Sequence, residues 1–320
     1  MKRRFLFTAV ALVLSLGATA QTPQPAAPAT PVTPPAAPNK KAPAPKDNSK
    51  LPVIDGAKLA KMEEAVPAKA SATPKKPRKV LVFWRCEGFF HAGGIAGGNK
   101  AIELMGTKTG AYTADFSREY ASLEAANLAK YDVLVFNNTT QLDNFEWGLT
   151  DTHKQNILAF VRGGKGIVGI HSTTDNFYKW PEGQKMLGGL FCGHPWPANG
   201  TWAFKLDDPD HPLNKAFGGQ GFKLKDEIYQ FKEPYSRTNL RELLSIDLQD
   251  AATGERGKKG ARKDGDYAVS WIRKEGAGRV FYCSLGHDMN IFQEPAILRF
   301  YLDGIQYALG DLACDDKPKQ

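Results

Sequence analysis

No stretch constrains this chain more than residues 163–175, GGKGIVGIHSTTD. It reads as a helix end with Gly163 at the position after the last turn, a short buried strand over 167–170, and a histidine, His171, where the strand stops. The helix leading into it spans 150–162 and carries Ile157, Leu158, Phe160 and Val161 on one face. A helix running into a wholly apolar strand is the alternation of an open, mostly parallel α/β sheet. Ligands in such sheets sit outside the carboxyl ends of the strands, so His171 stands where chemistry is done. Three other apolar runs also end in polar residues: RKVLVFWRCEGFFH (78–91), YDVLVFNNTT (131–140) and VFYCSLGHD (280–288). The four exits are expected to converge on one pocket.

The rest of the pattern supports that sheet. Strands are expected over 80–84, 111–117 and 132–136, with helices near 99–105 and 123–129 between them. A glycine-rich loop with Gly88, Gly93, Gly94, Gly97 and Gly98 carries His91. After His194 the pattern changes to strands at 201–206, 223–231, 240–247, 267–273 and 279–285, the last two joined by a hairpin at 275–278. Residues 254–265 read as a polar surface loop, and a final helix over 295–309 is stopped by Gly310. The fold class is therefore α/β: a mostly parallel sheet flanked by helices, with added antiparallel strands in the C-terminal half.

Residues 1–20 have the form of a secretory signal: Lys2, Arg3 and Arg4, an apolar run, then Ala18-Thr19-Ala20. The apolar run is too short to span a bilayer, so no membrane insertion is expected and the mature protein should be periplasmic or secreted. Residues 21–46 are a Pro/Ala-rich tether, 47–78 an arm or linker, 79–312 the folded domain and 313–320 a tail. In the arm, Leu59, Met62 and Val66 allow a turn or two of helix before Pro67 interrupts it. The formal charge of +8 falls to +5 without the three signal-peptide cations, and the remaining Lys and Arg are dispersed, which excludes a nucleic-acid partner. Cys86, Cys192, Cys283 and Cys314 form no paired spacing, which excludes a zinc ribbon or a disulfide framework. Cys86 and Cys283 read as packing residues.

Of the six histidines, His153 reads as an exposed helix residue and His211, before proline, as a turn cap. A lone histidine after a strand is usually a packing residue; His91, His171 and His287 at three exits point to a shared site. Neutral imidazole binds metals and also transfers protons, and the sequence leaves those two jobs open. His194 follows a short glycine-rich connection that can fold back beside His171. In DEIYQF (226–231), Asp226 and Glu227 are either solvated edge acids or, by alternation, Glu227 and Tyr229 share a face on which Glu227 is a base or ligand. Asp288 either orients an imidazole or caps its loop, and Trp196 and Trp202 form either an aromatic wall or core. No phosphate loop, zinc helix or dinucleotide fingerprint occurs, so no nucleotide cofactor is expected. Nor is there a serine or cysteine nucleophile elbow; the place reads Gly169-Ile170-His171-Ser172-Thr173.

Taken together, GFFH (88–91), GGKGIVGIHS, GGLFCGHPW, DDPDHPL, DEIYQF and GAGRVFYCSLGHD resemble the ThuA-like (trehalose-utilisation) family over residues 79–312. The resemblance implies a flavodoxin-like fold of the class I glutamine amidotransferase type. It also implies sugar metabolism, including use of trehalose and related disaccharides through 3-keto intermediates. Amidotransfer is not implied, because the nucleophilic cysteine of that fold is replaced by the His171 segment. The expected function is an exported carbohydrate-processing enzyme that abstracts a proton beside the carbonyl of a 3-keto glycoside or disaccharide. His171 or Glu227 is the expected base, with Asp288 orienting. His91 and His287 would hold a divalent metal (Zn, Mn, Ni or Fe) or donate to the oxyanion. Asn137, Asn138, His194, Trp196 and Tyr229 are expected at a small saccharide substrate. Competing readings are a sugar-binding module stacking on Trp180, Trp196 and Trp202, and a glycoside hydrolase; the oligomeric state stays open.

Overall fold

Apolar runs that lack alternation fold as strands covered on both faces, and four of them, joined by one largely exposed edge strand, form the parallel half of one sheet. The structure, a computed structural model, describes residues 48–319. The expected signal peptide and tether lie outside the described residues.

In chain order the elements are α1 (Gly56–Ala65), β1 (Lys79–Phe83), α2 (Ala92–Thr109), β2 (Thr113–Ser117), α3 (Ala125–Leu128), β3 (Val133–Asn137), α4 (Asp151–Arg162), β4 (Gly166–Ile170) and α5 (Pro181–Leu187). Then come β5 (Leu190–Phe191), β6 (Thr201–Leu206), β7 (Phe222–Lys225), β8 (Phe231–Lys232), β9 (Arg241–Ile246), α6 (Ala251–Gly257), β10 (Ala268–Glu275), β11 (Gly278–Cys283) and α7 (Pro295–Ala308). The main sheet runs β2-β1-β3-β4-β11-β10-β9-β6-β7. Its first five strands are parallel and the pairs from β11·β10 onward antiparallel, as the sequence pattern implied. The order reverses at β1, so the crevice between the ends of β1 and β3 is a switch point, where such sheets bind ligands.

Alternate residues of the parallel strands feed two cores. Val80, Val82, Val133, Val135 and Ile170 pack with α1, α2 and α7, whereas Leu81, Phe83, Leu134, Phe136 and Ile167 pack with α4 and α5. Four sequence expectations need correction. The glycine-rich segment is not a loop: Gly93, Gly94, Gly97 and Gly98 lie in α2, which starts directly after His91. The 254–265 loop begins as α6, capped by Asp250 through the Thr253 N–H. The 223–231 strand is broken into β7 and β8 around residues 226–230. The residue with left-handed backbone after α4 is Gly164 (φ 105°) rather than Gly163.

The arm is folded onto the domain. Asp55 caps α1 by accepting the Lys58 N–H, and Met62, Ala65 and Val66 are buried against residues 289–293 and α7. Downstream, Gln306 of α7 accepts from the Ser71 and Ala72 N–H groups and donates to the Ala72 carbonyl. Arg78 pairs with Asp311. Deleting buried methionine atoms leaves a cavity, so Met62→Ala should cost about 2–5 kcal/mol of stability, read as a lower urea midpoint at constant m.

A buried acid gives a pH signature. Glu242 of β9 is 3% exposed, and its Oε1 has no hydrogen-bond partner among the described residues. Arg237 lies 3.8 Å from its other oxygen but also serves Asp207 and Asp266. Burial outweighs that cation and raises the Glu242 pKa from 4.5 to about 7. A folded-state pKa above the unfolded one means that the contribution is complete below about pH 4.5 and is lost as pH rises through about 7. Wild type should therefore lose stability between about pH 5 and pH 8, and Glu242→Gln should flatten that decline in denaturant titrations.

Candidate functional site

The site begins where β4 ends. His171 leaves the strand at φ 48°, a left-handed conformation uncommon outside glycine. The turn is locked from both sides. Thr173 Oγ1 accepts the Ile170 N–H and donates to the Phe136 carbonyl, and the Tyr282 hydroxyl donates to the His171 carbonyl at 2.6 Å. A strained turn at a strand exit is the place where a nucleophile elbow would stand; here it presents an imidazole.

His171 is fully buried. Its Nδ1 lies 2.7 Å from the Ser284 carbonyl, which can only accept, so Nδ1 carries the proton and Nε2 a lone pair. That Nε2 makes no hydrogen bond among the described residues; nor do Nδ1 of His91 and Nδ1 of His287. His91, the residue before α2, and His287, after β11, converge on it. Ring centroids lie 4.9 Å apart for His91–His171, 5.0 Å for His91–His287 and 5.3 Å for His171–His287, all edge to face. Burial, helped by the neighbouring His287 and His194, lowers the His91 pKa to about 3. Burial, then His91 and His287, holds His171 well below the ordinary value. Both rings are thus neutral at physiological pH.

His287 is placed by two devices. Fully buried Asp226 accepts the Gly286 N–H at 2.6 Å and the His287 N–H at 3.2 Å, and burial pushes its pKa well up. Gly286 adopts φ 126°, and Gly94 of α2 comes so close that a Cβ there would sit 2.4 Å from the Gly286 oxygen. The sequence showed Asp226 only as an acid at the head of an apolar run, and its positioning role was missed. Next to it, Glu227 puts Oε1 3.5 Å from His287 Nε2 and Oε2 3.9 Å from Nδ1 of half-exposed His194. Tyr229 stacks at a tilt 4.5 Å from the His171 ring, and Asp288 Oδ1 lies 3.6 Å from His287 Nδ1.

Other candidates lie elsewhere. Asn137 and Asn138 are fully buried and brace the scaffold: Asn137 Nδ2 donates to Ile95 O and Asn99 Oδ1, and Asn138 Nδ2 to Asn137 Oδ1 and Gly286 O. Trp196 is core, with its Nε1 donating to Thr253 O and its ring edge to face with Tyr267. Trp180 and Trp202 are also buried, which removes the proposed stacking platform. The aromatics that do reach solvent here are Phe89, 64% exposed and 4.7 Å from His91, and Tyr178. Cys86 is buried with its thiol pushed up to about 12 by burial, and it donates to the Asn138 carbonyl, a packing role. His153 is not exposed: it completes a capping box with Thr150 and meets Glu124 at 3.1 Å. His211 caps its turn as expected.

One nitrogen from each of His91, His171 and His287 lies within 4.8 Å of the others. Three imidazoles, two of them held neutral, whose buried nitrogens make no hydrogen bond among the described residues suit a borderline divalent cation such as zinc. Tetrahedral ligand nitrogens stand about 3.4 Å apart, so the rings as they stand are somewhat wide for one. A cavity of about 980 Å³ opens at the opposite ends of the strands, lined by Lys76, Arg78, Lys79, Asp132 and Lys165 among others. Its cations are engaged with Asp132 and other acids, so it offers no convergent acid–base set.

The chain is similar in structure to a ThuA-like protein of Bacteroides uniformis, with a TM-score of 0.61 and 20% identity over 74% of this chain and 94% of that one. A ThuA-like protein of Parabacteroides merdae aligns with a TM-score of 0.52 and 18% identity over 74% of this chain and 92% of that one. These likenesses speak to the fold. No curated protein matches the chain. The ThuA family, described as trehalose utilisation, matches residues 79–308, a span that runs from β1 to the end of α7 and contains every histidine of the cluster. The chain belongs to the ThuA family.

Proposed function

We propose that this protein is a carbohydrate-processing enzyme that removes a proton beside the carbonyl of an oxidised (3-keto) glycoside, leading to isomerisation or elimination. The observation that carries this reading is the convergence of three imidazoles, two of them held neutral and one with a bare lone pair, beside the Glu227 carboxylate. His91, His171 and His287 would hold a divalent ion (Zn, Mn, Ni or Fe), which when bound supplies Lewis-acid stabilisation to a carbonyl oxygen. His171 thus moves from candidate base to candidate ligand, because its lone pair is buried beneath its neighbours' rings.

Glu227 takes the proton. A ketone acidifies the neighbouring C–H, and a carboxylate positioned for general-base catalysis accelerates its removal. His194, 3.9 Å from the second Glu227 oxygen and half exposed, carries the proton to solvent. Asp288 orients His287, and Tyr229 closes the buried side of the site against water. On this reading the substrate is a small saccharide and the reaction takes place in the periplasm or outside the cell, the destination indicated by residues 1–20. Among the described residues no helix is long and apolar enough to cross a membrane.

The test is exchange in D₂O. Full-length protein supplied with divalent ions should place deuterium on the carbon beside the ketone of a 3-keto glucoside, well above the uncatalysed rate. Exchange no faster than in buffer, across those ions, would overturn the proposal.

A further inference from the structure

We propose that Asp175, paired with Tyr178, is the general acid that protonates the leaving oxygen when the glycosidic bond breaks; this rests on the elimination reading above. Asp175 closes the turn that starts at His171, with its N–H donating to Ser172 O and its carbonyl accepting from the Gln141 N–H. The residue is 7% exposed, yet among the described residues no cation pairs with it. Its partner is neutral: the Tyr178 hydroxyl donates to Oδ1. A buried carboxyl without a cation favours the protonated form, and burial raises Asp175 to about 6, against the opposing effect of Tyr178.

Asp175 is held between the exit of β4 and the segment that follows β3. Tyr229, whose ring lies 4.5 Å from His171 and 4.2 Å from Phe191, borders the cluster. Two carboxyls with different surroundings thus stand at this end of the sheet: Glu227, beside His287 and His194, and Asp175, at the end of the turn that begins at His171, which lacks any such imidazole partner. Groups whose surroundings differ in this way divide into base and acid. Glu227 takes the proton from the carbon between the ketone and the anomeric centre. The electron pair forms the new C=C bond as the anomeric C–O bond breaks, and the leaving oxygen takes the proton of Asp175. The products are an unsaturated keto-sugar and an alcohol, with no net redox change. Water then removes the proton from Glu227 and returns one to Asp175, which half-exposed Tyr178 links to solvent.

A leaving-group comparison tests this. The methyl and 4-nitrophenyl 3-keto glucosides are assayed with full-length wild type, Asp175→Asn and Tyr178→Phe. Nitrophenolate departs without a proton, so Asp175→Asn should slow the methyl glycoside by about 10²–10³-fold and the nitrophenyl glycoside by less than about tenfold. Tyr178→Phe should show the same pattern in smaller degree. Equal losses on both glycosides mark a merely structural residue and overturn the assignment, as does no loss on either. Wild type that neither cleaves these glycosides nor exchanges the neighbouring proton would overturn the elimination reading itself, and this acid with it.

Discussion

Replacing Glu227 by glutamine is expected to lower kcat for proton abstraction by about 10²–10⁴-fold, with KM changed far less. The substitution keeps the shape of the side chain and its approaches of 3.5 Å to His287 and 3.9 Å to His194, but removes its basicity. The metal content of the variant should equal that of wild type, because Glu227 is not one of the three clustered imidazoles. Deuterium exchange into a 3-keto glucoside, followed by NMR, isolates the step from whatever follows it. Exchange at the wild-type rate in a folded Glu227→Gln protein would remove Glu227 as the base.

Substituting His171 by asparagine should act through the other half of the site. Asparagine tolerates left-handed backbone, so the variant removes the imidazole without adding strain at φ 48°. Losing even a hydrogen-bond partner of a metal-bound histidine costs about 10–100-fold in affinity; losing a ligand should cost more and take turnover to background. The change also leaves the buried Ser284 carbonyl without the Nδ1 donor, at about 1–3 kcal/mol, so a lower melting temperature is expected alongside. Full turnover in this variant would show that His171 only packs.

The inner strands of the parallel half were legible because they are largely apolar and stop abruptly. Val80–Phe83, Val133–Phe136 and Ile167–Ile170 carry their own boundaries, and the polar residues just beyond them, His91, Asn138 and His171, do sit at one end of the sheet. What the sequence hid was tertiary. Five glycines in α2 (Gly93, Gly94, Gly97, Gly98 and Gly106) lower local helix propensity, each by about 1 kcal/mol relative to alanine. A Cβ at Gly94 would collide with the Gly286–His287 backbone, one at Gly97 with Phe292 and Met289, one at Gly98 with Asn137 and one at Gly106 with Tyr112, whereas Gly93 has ordinary room. The burial of His153 depends on Tyr120 and Glu124, some thirty residues away. Trp196 carries no local mark distinguishing a wall from a core, and the ends of the Asp226 hydrogen bonds lie sixty residues downstream.

Metal content of the purified full-length protein, measured by mass spectrometry after incubation with divalent ions and gel filtration, tests the central claim most directly. Wild type should retain close to one equivalent of a divalent metal and His171→Asn none above background, with both proteins folded. Wild type that retains no metal and still exchanges the proton beside the ketone would contradict it, leaving the three histidines without the role assigned to them.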